Sequence, residues 1–338
     1  MRPPLSLIVA FILAASTAFA QQLSHDDEVR LAEGIHLAQK VQDKIWPEWG
    51  KSPFGILLIT QDGEFLINHP LKTSSAPEGF TKSGRSELLY ADVWVRPRKF
   101  PLNFQATFPA LGDGIPVIVV GEPRNTESKT STPWVITLLH EHFHQLQYSR
   151  PGYQDAVSKL DLAKGDTSGM WMLNFPFPYE KKEVIEEFNR LKASLLDALD
   201  ENDKKKLREK SKAFAAEDSR FQQLLSPEEA RYFNFQLWQE GVARYTQIKA
   251  AESARDYAPS AQFKALSDYE SFADYAKHAR KDTENELRQA DLAKWQRVVV
   301  YSYGACEALL LDRINPDWQR EYFSESGLSL DKLLQGTR

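Results

Sequence analysis

The chain has only one cysteine, Cys306, among its 338 residues. An intrachain disulfide is therefore impossible, and even an oxidising compartment could not cross-link this protein internally. Its stability has to come from packing. The sequence supplies eight tryptophans, 19 phenylalanines and 12 tyrosines for that purpose.

An excess of basic residues is also missing. The 42 lysines and arginines are outnumbered by 47 acidic residues, which gives a formal net charge of −5. No basic stripe with interleaved aromatics occurs, and the lysine run at 204–206 has acidic residues nearby, as a solvated helix face does. We therefore expect no nucleic acid partner.

A long apolar run occurs only in the first twenty residues. Arg2 gives a positive start, residues 5–19 are mostly apolar, and Ala18-Phe19-Ala20 matches the cleavage pattern of a signal peptide. Residue 21 is a glutamine and not the cysteine of a lipoprotein. We expect cleavage near Ala20 and an exported mature chain, periplasmic or secreted, without a transmembrane anchor.

The remaining sequence changes its pattern near residues 122–131. One amphipathic helix is predicted at the start, followed by short strands, over 24–46, 54–60, 64–68, 88–95, 104–108 and 115–120. Helices are predicted afterwards over 131–149, 178–199, 204–225, 226–251, 267–293 and 298–314. We expect an α+β fold in one catalytic unit: a small mixed sheet lobe, 21–130, and a mostly helical lobe, 131–338.

The run His140-Glu141-His142-Phe143-His144 contains the pattern H-E-x-x-H. On a helix, His140 and His144 are about 40° apart and one turn apart, so both can bind one metal ion. Glu141 lies about 100° around the helix and can reach a water on that ion. His142 points to the other side and is expected in the core.

A catalytic zinc ion needs a third protein ligand and one open position. No histidine follows at metzincin spacing, and Ala163 and Lys164 stand where a thermolysin-like enzyme has its glutamate. The best candidate is Glu240, on the predicted helix over 226–251. The small Gly241 and Ala243 beside it would let a second helix approach closely.

These stretches resemble the gluzincin-type zinc metallopeptidases of the peptidase-MA-like clan. The resemblance rests on residues 134–145, on Glu240-Gly-x-Ala-x-Tyr and on Tyr301-x-x-Gly304. It implies a zincin-like fold with the active-site helix between the two lobes. It also implies one Zn²⁺ held by His140, His144 and Glu240, with Glu141 as the general base. The interval between His144 and Glu240 is longer than in the best-known members.

Hydrolysis of an amide also needs a group that stabilises the oxyanion. Tyr301 heads a face of small residues and is the first candidate, followed by Tyr303 and Tyr245. Arg244 is interpreted as a support for a ligand, as a contact for a substrate carboxylate, or as half of a salt bridge. The aromatic segment 170–179 walls the cleft or covers the core.

The sequence therefore favours an exported zinc metallopeptidase that acts on a peptide or protein. A zinc amidohydrolase acting on a non-protein amide, such as cell-wall material, is an alternative. A non-catalytic, zinc-stabilised binding protein is a second one. The presence of Glu141 disfavours it, because a purely structural site does not use a base. The sequence contains no signal for an oligomeric state.

Overall fold

The computed structural model describes residues 21–70, 76–323 and 328–335. The predicted signal segment, residues 1–20, lies outside the described residues. No helix within the described ranges combines the length and the apolar character that a bilayer crossing requires. A mixed sheet in the N-terminal part is followed by a mostly helical C-terminal part, so the expected α+β class is confirmed.

The N-terminal part contains a six-stranded sheet. Its strands are β1 (Ile56–Ile59), β2 (Glu64–Ile67), β3 (Thr81–Ser86), β4 (Ala91–Arg96), β5 (Gln105–Phe108) and β6 (Val117–Gly121). Their order across the sheet is β3-β4-β2-β1-β6-β5. β1 and β6 run parallel and are buried throughout. Their nearly continuous apolar sequences are typical of strands that are covered on both faces. β5 pairs with β6 alone and forms one edge.

Strand β3 was not predicted from the sequence. It reads TKSGRS, is mostly exposed, and lies at the edge opposite β5. Its pairing with β4 shifts register between Lys82 and Gly84. A polar edge strand lacks the apolar alternation by which a half-buried strand is predicted from sequence. The β3 segment is held as a strand by its backbone hydrogen bonds with β4.

The helices predicted over 24–46, 131–149, 178–199, 204–225 and 298–314 are present with similar bounds, and the helix predicted over 267–293 is shorter than expected. Several short helices were not predicted. The described part contains 14 α-helices. They are α1 (His25–Ile45), α2 (Ser131–Ser149), α3 (Tyr153–Lys159), α4 (Trp171–Asn174), α5 (Lys182–Asp200), α6 (Lys204–Leu224), α7 (Pro227–Gln236), α8 (Val242–Ser253), α9 (Ala261–Lys264), α10 (Phe272–Gln289), α11 (Leu292–Trp295), α12 (Val299–Ile314), α13 (Trp318–Tyr322) and α14 (Asp331–Gln335).

The single helix predicted over 226–251 is divided in the structure. Its start is as expected, because Ser226 and Glu229 form a capping box ahead of α7. Residues Leu237–Gly241 then form a π turn, and α8 continues from Val242. Such a turn places an extra residue in one helical turn and changes the directions of the side chains that follow it.

Helix α2 lies at the centre of the molecule. Nearly all of its residues are buried, as expected for a helix that is apolar on several sides. Trp134 donates a hydrogen bond from Nε1 to the carbonyl oxygen of Gly121, at 2.9 Å, which ties α2 to the end of β6. One apolar core contains side chains from α1, β1, α2, α8 and α12. The sheet and the helices therefore enclose α2 together.

A buried ion pair fixes the chain just before the edge strand β5. Arg96 donates from Nε to Glu64 Oε2 at 2.7 Å, and both side chains are buried. Glu64 Oε1 accepts from the backbone N–H groups of Lys99 and Phe100, at 2.6 Å each. Because a buried carboxylate is retained only when it is fully bonded, this cluster holds the segment leading to β5 in one conformation.

Candidate metal centre

His140 and His144 are buried on the same face of α2. Their ring centroids are 5.0 Å apart and the rings are nearly perpendicular, at 80°. This is the spacing that H-E-x-x-H predicts for two residues one helical turn apart. Two imidazoles therefore face one point in space beside α2.

Glu240 brings a carboxylate to that point from the π turn. Its Oε2 is 3.3 Å from His144 Nε2 and 3.9 Å from His140 Nε2. One ligand atom from each of the three residues lies within 4.8 Å of the other two. His140, His144 and Glu240 could therefore hold a metal ion, and the structure brings together the three residues predicted as ligands.

Glu240 and His144 stabilise each other's charged forms, whereas His140 stays neutral. Burial alone would lower the pKa of His144, but the adjacent Glu240 carboxylate raises it to about 9. Burial and the neighbouring His144 lower the pKa of His140 to about 3. For Glu240, burial is outweighed by His144, Arg297 and His140, which hold its pKa well below the usual range. The carboxylate is ionised, as a metal ligand must be.

Gln147 fixes the orientation of His144. Its Oε1 accepts a hydrogen bond from His144 Nδ1 at 2.7 Å, which directs Nε2 toward Glu240. The Nε2 group of Gln147 donates to the carbonyl oxygens of Trp238 and Gln239, at 3.3 and 3.2 Å. Gln147 thus links the histidine helix to the π turn that carries the third candidate ligand.

The surroundings of His140 are looser. Its Nδ1 is buried and has no partner of hydrogen-bond geometry among the described residues. Gln247 lies beside it, and Gln247 Oε1 accepts from Arg244 Nη1 at 3.2 Å. Arg244 Nη2 also pairs with Glu286 at 3.1 Å. Of the interpretations given for Arg244, the salt bridge is therefore present. Arg244 also contacts Gln247, the residue that lies between it and the candidate ligand His140.

Glu141 is buried next to the candidate ligands but does not belong to their group. Its Oε2 accepts from Thr107 Oγ1 at 2.7 Å, and its Oε1 accepts from Gln105 Nε2 at 3.1 Å. Both donors belong to the edge strand β5. Burial raises the pKa of Glu141, and the Thr107 hydroxyl opposes that rise in part. A carboxylate with a raised pKa, next to three candidate metal ligands, has the properties expected of a general base.

Arg297 was not predicted as a site residue. Its Nη2 donates to Glu240 Oε1 at 2.8 Å and its Nη1 donates to the Tyr301 hydroxyl at 3.2 Å. Gln296, the preceding residue, has φ 47° and ψ −126°, which a non-glycine residue adopts at an energetic cost. The available signal was the spacing of four residues between Arg297 and Tyr301, which places both on one helical face.

Of the three tyrosines considered for the oxyanion, Tyr301 lies at the site. Its ring is 6.3 Å from the His140 ring, measured between centroids. Tyr303 is fully buried between Phe188 and Phe233. Tyr245 is also fully buried, and its hydroxyl donates to Asp312 Oδ1 at 2.7 Å. The structure places Tyr303 and Tyr245 in the core, away from the candidate ligands.

His142 lies in the core, as the helix geometry predicts. Its ring stacks on Phe54 with centroids 4.1 Å apart, and its Nδ1 is 2.9 Å from Gln145 Oε1. Burial lowers the pKa of His142 to about 4, so it stays neutral. The triple-histidine run thus contributes two candidate ligands and one packing residue.

The aromatic segment 170–179 packs against the helix that precedes Glu240. The Trp171 ring stacks on Phe235, and the Phe175 ring stacks on Tyr232, with centroids 5.5 and 4.4 Å apart. Gln236 Nε2 donates to the carbonyl oxygen of Met172 at 3.0 Å. The segment covers part of the core and also adjoins the wall of the metal centre through Gln236.

Comparisons with known proteins add no relative: no family model, no curated protein and no solved structure matches this chain. The gluzincin-type resemblance therefore stays a prediction that rests on three short stretches of sequence.

Proposed function

We propose that this protein is an exported zinc-dependent metallopeptidase that hydrolyses peptide bonds with Glu141 as general base. One observation carries the proposal. The ligand atoms of His140, His144 and Glu240 lie within 4.8 Å of one another, while the neighbouring Glu141 stays outside that group. Two imidazoles and a carboxylate with a separate acid–base residue form the protein part of a hydrolytic zinc site.

The donor set fits zinc. His144 is held by Gln147 so that Nε2 faces the site, and the pKa of Glu240 is lowered far enough to keep it ionised. Neutral imidazole and carboxylate donors of this kind suit zinc in its usual oxidation state. When bound, the ion would polarise the scissile carbonyl and acidify a water molecule.

Glu141 provides the proton transfers. Each of its oxygens accepts one hydrogen bond from β5, and a carboxylate has about four lone-pair positions, so capacity remains for a water proton. In the proposed reaction, Glu141 takes a proton from the attacking water and returns it to the leaving amine. The raised pKa of Glu141 makes it a stronger base in the first of these steps.

Tyr301 is proposed to stabilise the oxyanion. The bond from Arg297 Nη1 uses a lone pair of the Tyr301 hydroxyl and leaves its proton for another acceptor. The Tyr301 ring lies beside the His140 ring, with centroids 6.3 Å apart, and the hydroxyl is proposed to donate that proton to the oxyanion. Burial and Glu240 raise the pKa of Tyr301, so the hydroxyl remains a donor at neutral pH.

The substitution Glu141→Gln tests the proposal. We expect the variant to keep the zinc content of the wild type and to lose hydrolysis by about 10²–10⁴-fold, the usual contribution of a general base. Zinc is measured by elemental analysis, and cleavage by profiling a proteome-derived peptide library with and without a chelator. Wild-type cleavage rates in Glu141→Gln would refute the mechanism.

One observation favours a second candidate, the non-catalytic zinc-stabilised binding protein. Thr107 and Gln105 of β5 donate hydrogen bonds to Glu141 of α2, so this carboxylate also contributes to the packing of the sheet against the helix. The same library distinguishes the two functions. A zinc-loaded wild-type protein that cleaves no peptide, and whose unfolding temperature falls when zinc is removed, would be a binding protein.

A further inference from the structure

The phenol of Tyr322, at the end of α13, lies between α2 and the π turn. The side chain is buried. Its hydroxyl donates a hydrogen bond to the carbonyl oxygen of Trp238 at 2.6 Å and accepts one from Gln147 Nε2 at 2.7 Å. Gln147 orients the candidate ligand His144, and Trp238 belongs to the π turn that carries the candidate ligand Glu240. One hydroxyl from the C-terminal part of the chain therefore contacts the supports of two candidate ligands.

The directions of these hydrogen bonds follow from what each atom can donate. A carbonyl oxygen only accepts, so the single proton of the Tyr322 hydroxyl is used on Trp238. Toward Gln147 the hydroxyl can then only accept, and Gln147 has to present its NH2 group there. The amide oxygen of Gln147 consequently faces His144 and accepts from Nδ1 at 2.7 Å. Because Nδ1 keeps its proton, the ring atom that can bind a metal ion is Nε2, which lies 3.3 Å from Glu240 Oε2.

Of the three acceptors that the described residues place around the amide nitrogen of Gln147, the Tyr322 hydroxyl is the nearest. The carbonyl oxygens of Trp238 and Gln239 lie 3.3 and 3.2 Å from that nitrogen, against 2.7 Å for the hydroxyl. An NH2 group has two protons for these acceptors, so the shortest contact is the strongest. Tyr322 therefore contributes most to the orientation of the amide, and the two carbonyl oxygens retain part of that orientation when the hydroxyl is removed.

The Tyr322 ring is held in place by aromatic packing. It stacks on the Trp238 ring, with centroids 4.7 Å apart and an angle of 10° between the planes. Trp46, which follows α1, and Phe143 of α2 also contact it, with centroids 5.2 and 6.1 Å away. Because a ring packed on several sides cannot swing away, its hydroxyl has one position relative to the helix that carries the two histidines.

Burial alone does not give a tyrosine such bonds. Tyr303 is also fully buried, and its hydroxyl has no hydrogen-bond partner among the described residues. Tyr245 is buried too, and its hydroxyl donates to Asp312 Oδ1 at 2.7 Å and accepts from Gln319 Nε2 at 3.1 Å. The hydroxyls of Tyr322 and Tyr245 thus donate and accept alike, but only that of Tyr322 contacts the supports of the metal centre. Tyr245 is therefore a matched comparison.

We propose that Tyr322 is a positioning residue of the metal centre: its hydroxyl keeps Gln147 in the orientation that presents His144 Nε2 to the ion. This inference rests on the metal site of the proposed function and adds a residue that is not itself a candidate ligand. It also makes α13 part of the site. A chain that ended before α13 would contain all three candidate ligands and would lack this support.

The substitution Tyr322→Phe tests the proposal, because it removes the hydroxyl and keeps the ring. We expect its zinc affinity, measured by competition with a chelator, to fall about tenfold, the lower end of the usual loss for a residue that orients a histidine ligand. Tyr245→Phe also loses a buried hydroxyl that donates and accepts. It should lower stability in urea to a similar extent and keep the zinc affinity of the wild type. Equal zinc affinity in Tyr322→Phe and the wild type overturns the proposal, and so does an equal loss in Tyr245→Phe.

Two further measurements separate positioning from a loss of stability. In proton NMR spectra of the zinc-loaded protein, the Nδ1 proton of His144 should exchange with solvent faster in Tyr322→Phe than in the wild type. In a double-mutant cycle, Tyr322→Phe added to Gln147→Leu should lower zinc affinity by less than about twofold further, because the hydroxyl acts through Gln147. A further loss as large as the one Tyr322→Phe causes alone would show that it does not, and would overturn the proposal.

Zinc binding separates this inference from the proposed function, because none of these measurements needs turnover. If the wild type binds zinc and Tyr322→Phe weakens that binding as expected, but no peptide of the library is cleaved, the proposed function fails and the positioning role stands. If the wild type cleaves peptides and Tyr322→Phe binds zinc as tightly as the wild type, the proposed function stands and the positioning role is wrong.

Discussion

Gly241 and Gly304 lie in backbone contact where the π turn meets α12. A methyl group added to Gly241 would lie 2.5 Å from Gly304 Cα, and one added to Gly304 would lie 2.7 Å from Gly241 Cα. The turn carries Glu240 and the helix carries Tyr301. This contact therefore sets the distance between a candidate ligand and the proposed oxyanion donor.

Gly304→Ala should weaken both the fold and the metal centre. The added methyl meets backbone atoms that cannot rotate away, so α12 and the π turn have to separate, at a cost of about 1–3 kcal/mol in the free energy of unfolding. We also expect lower zinc affinity in competition with a chelator. Gly84→Ala is the control, because its methyl would have no atom within 4 Å. Equal zinc affinity and stability in Gly304→Ala and the wild type would contradict the contact.

Arg297→Met should destabilise the metal-free protein more than the zinc-loaded one. Without the guanidinium, Glu240 loses a charge-assisted hydrogen bond, which costs about 2 kcal/mol in the metal-free state. A bound dication would offset part of that loss. Differential scanning calorimetry should thus show a larger zinc-induced rise of Tm in the variant. Arg288→Met, which removes an exposed pair with Asp200, should leave that rise unchanged.

Gln147→Leu should lower zinc affinity about 10–100-fold, the usual effect of losing the residue that orients a histidine ligand. Gln145→Leu is a matched control on the same helix. Gln145 is equally buried and bonds to His142 and to two backbone carbonyls, so its loss should reduce stability without changing zinc affinity. If the two variants bind zinc equally well, Gln147 has no role at the metal centre.

The contribution of Asp218 to the stability of the fold should decrease as the pH rises from about 5 to 8. Burial and the nearby Asp331 raise the pKa of Asp218 to about 7. An aspartate in the unfolded chain titrates near 4. Because the folded pKa is the higher one, the stabilisation is complete below about pH 4 and is lost as the pH passes through about 7.

Urea unfolding of the metal-free protein at pH 5 and pH 8 checks this expectation. The free energy of unfolding at pH 8 minus that at pH 5 should be more positive in Asp218→Asn than in the wild type. Glu209→Gln, at an exposed position of the same helix, should leave this difference unchanged. A wild-type difference in Asp218→Asn would mean that Asp218 is already ionised across this range.

The helix bounds that were predicted correctly have strong local signals. α2 follows from its buried apolar pattern, and the start of α7 follows from Ser226 and Glu229. β3 lacks such a signal, because its residues are polar and its partner strand decides its structure. The π turn has none either, since both α7 and α8 have ordinary helical patterns and tertiary packing against Gly304 selects the wider turn.

The same distinction between local signals and tertiary packing applies to the metal centre. His140 and His144 are one helical turn apart, so the sequence alone predicts their proximity. Glu240 was proposed from its neighbours, and only tertiary structure brings its Oε2 to 3.3 Å from His144 Nε2. Arg297, Thr107 and Gln105 could not be predicted as partners, because their contacts with Glu240 and Glu141 depend on distant packing and not on any local pattern.

The long sequence separations within the metal centre determine when it can form during synthesis and folding. Glu240 lies 96 positions after His144, its partner Arg297 is 57 positions further on, and Gly304 follows. A chain still emerging from the ribosome contains the two histidines long before the residues that complete their surroundings. The three candidate ligands are all present once synthesis has passed residue 240, but the residues that position Glu240 are complete only after residue 304. Distant segments must then meet, which is a slow kind of folding step. Stable uptake of an ion, and any hydrolysis that depends on it, would thus begin late in the formation of the protein.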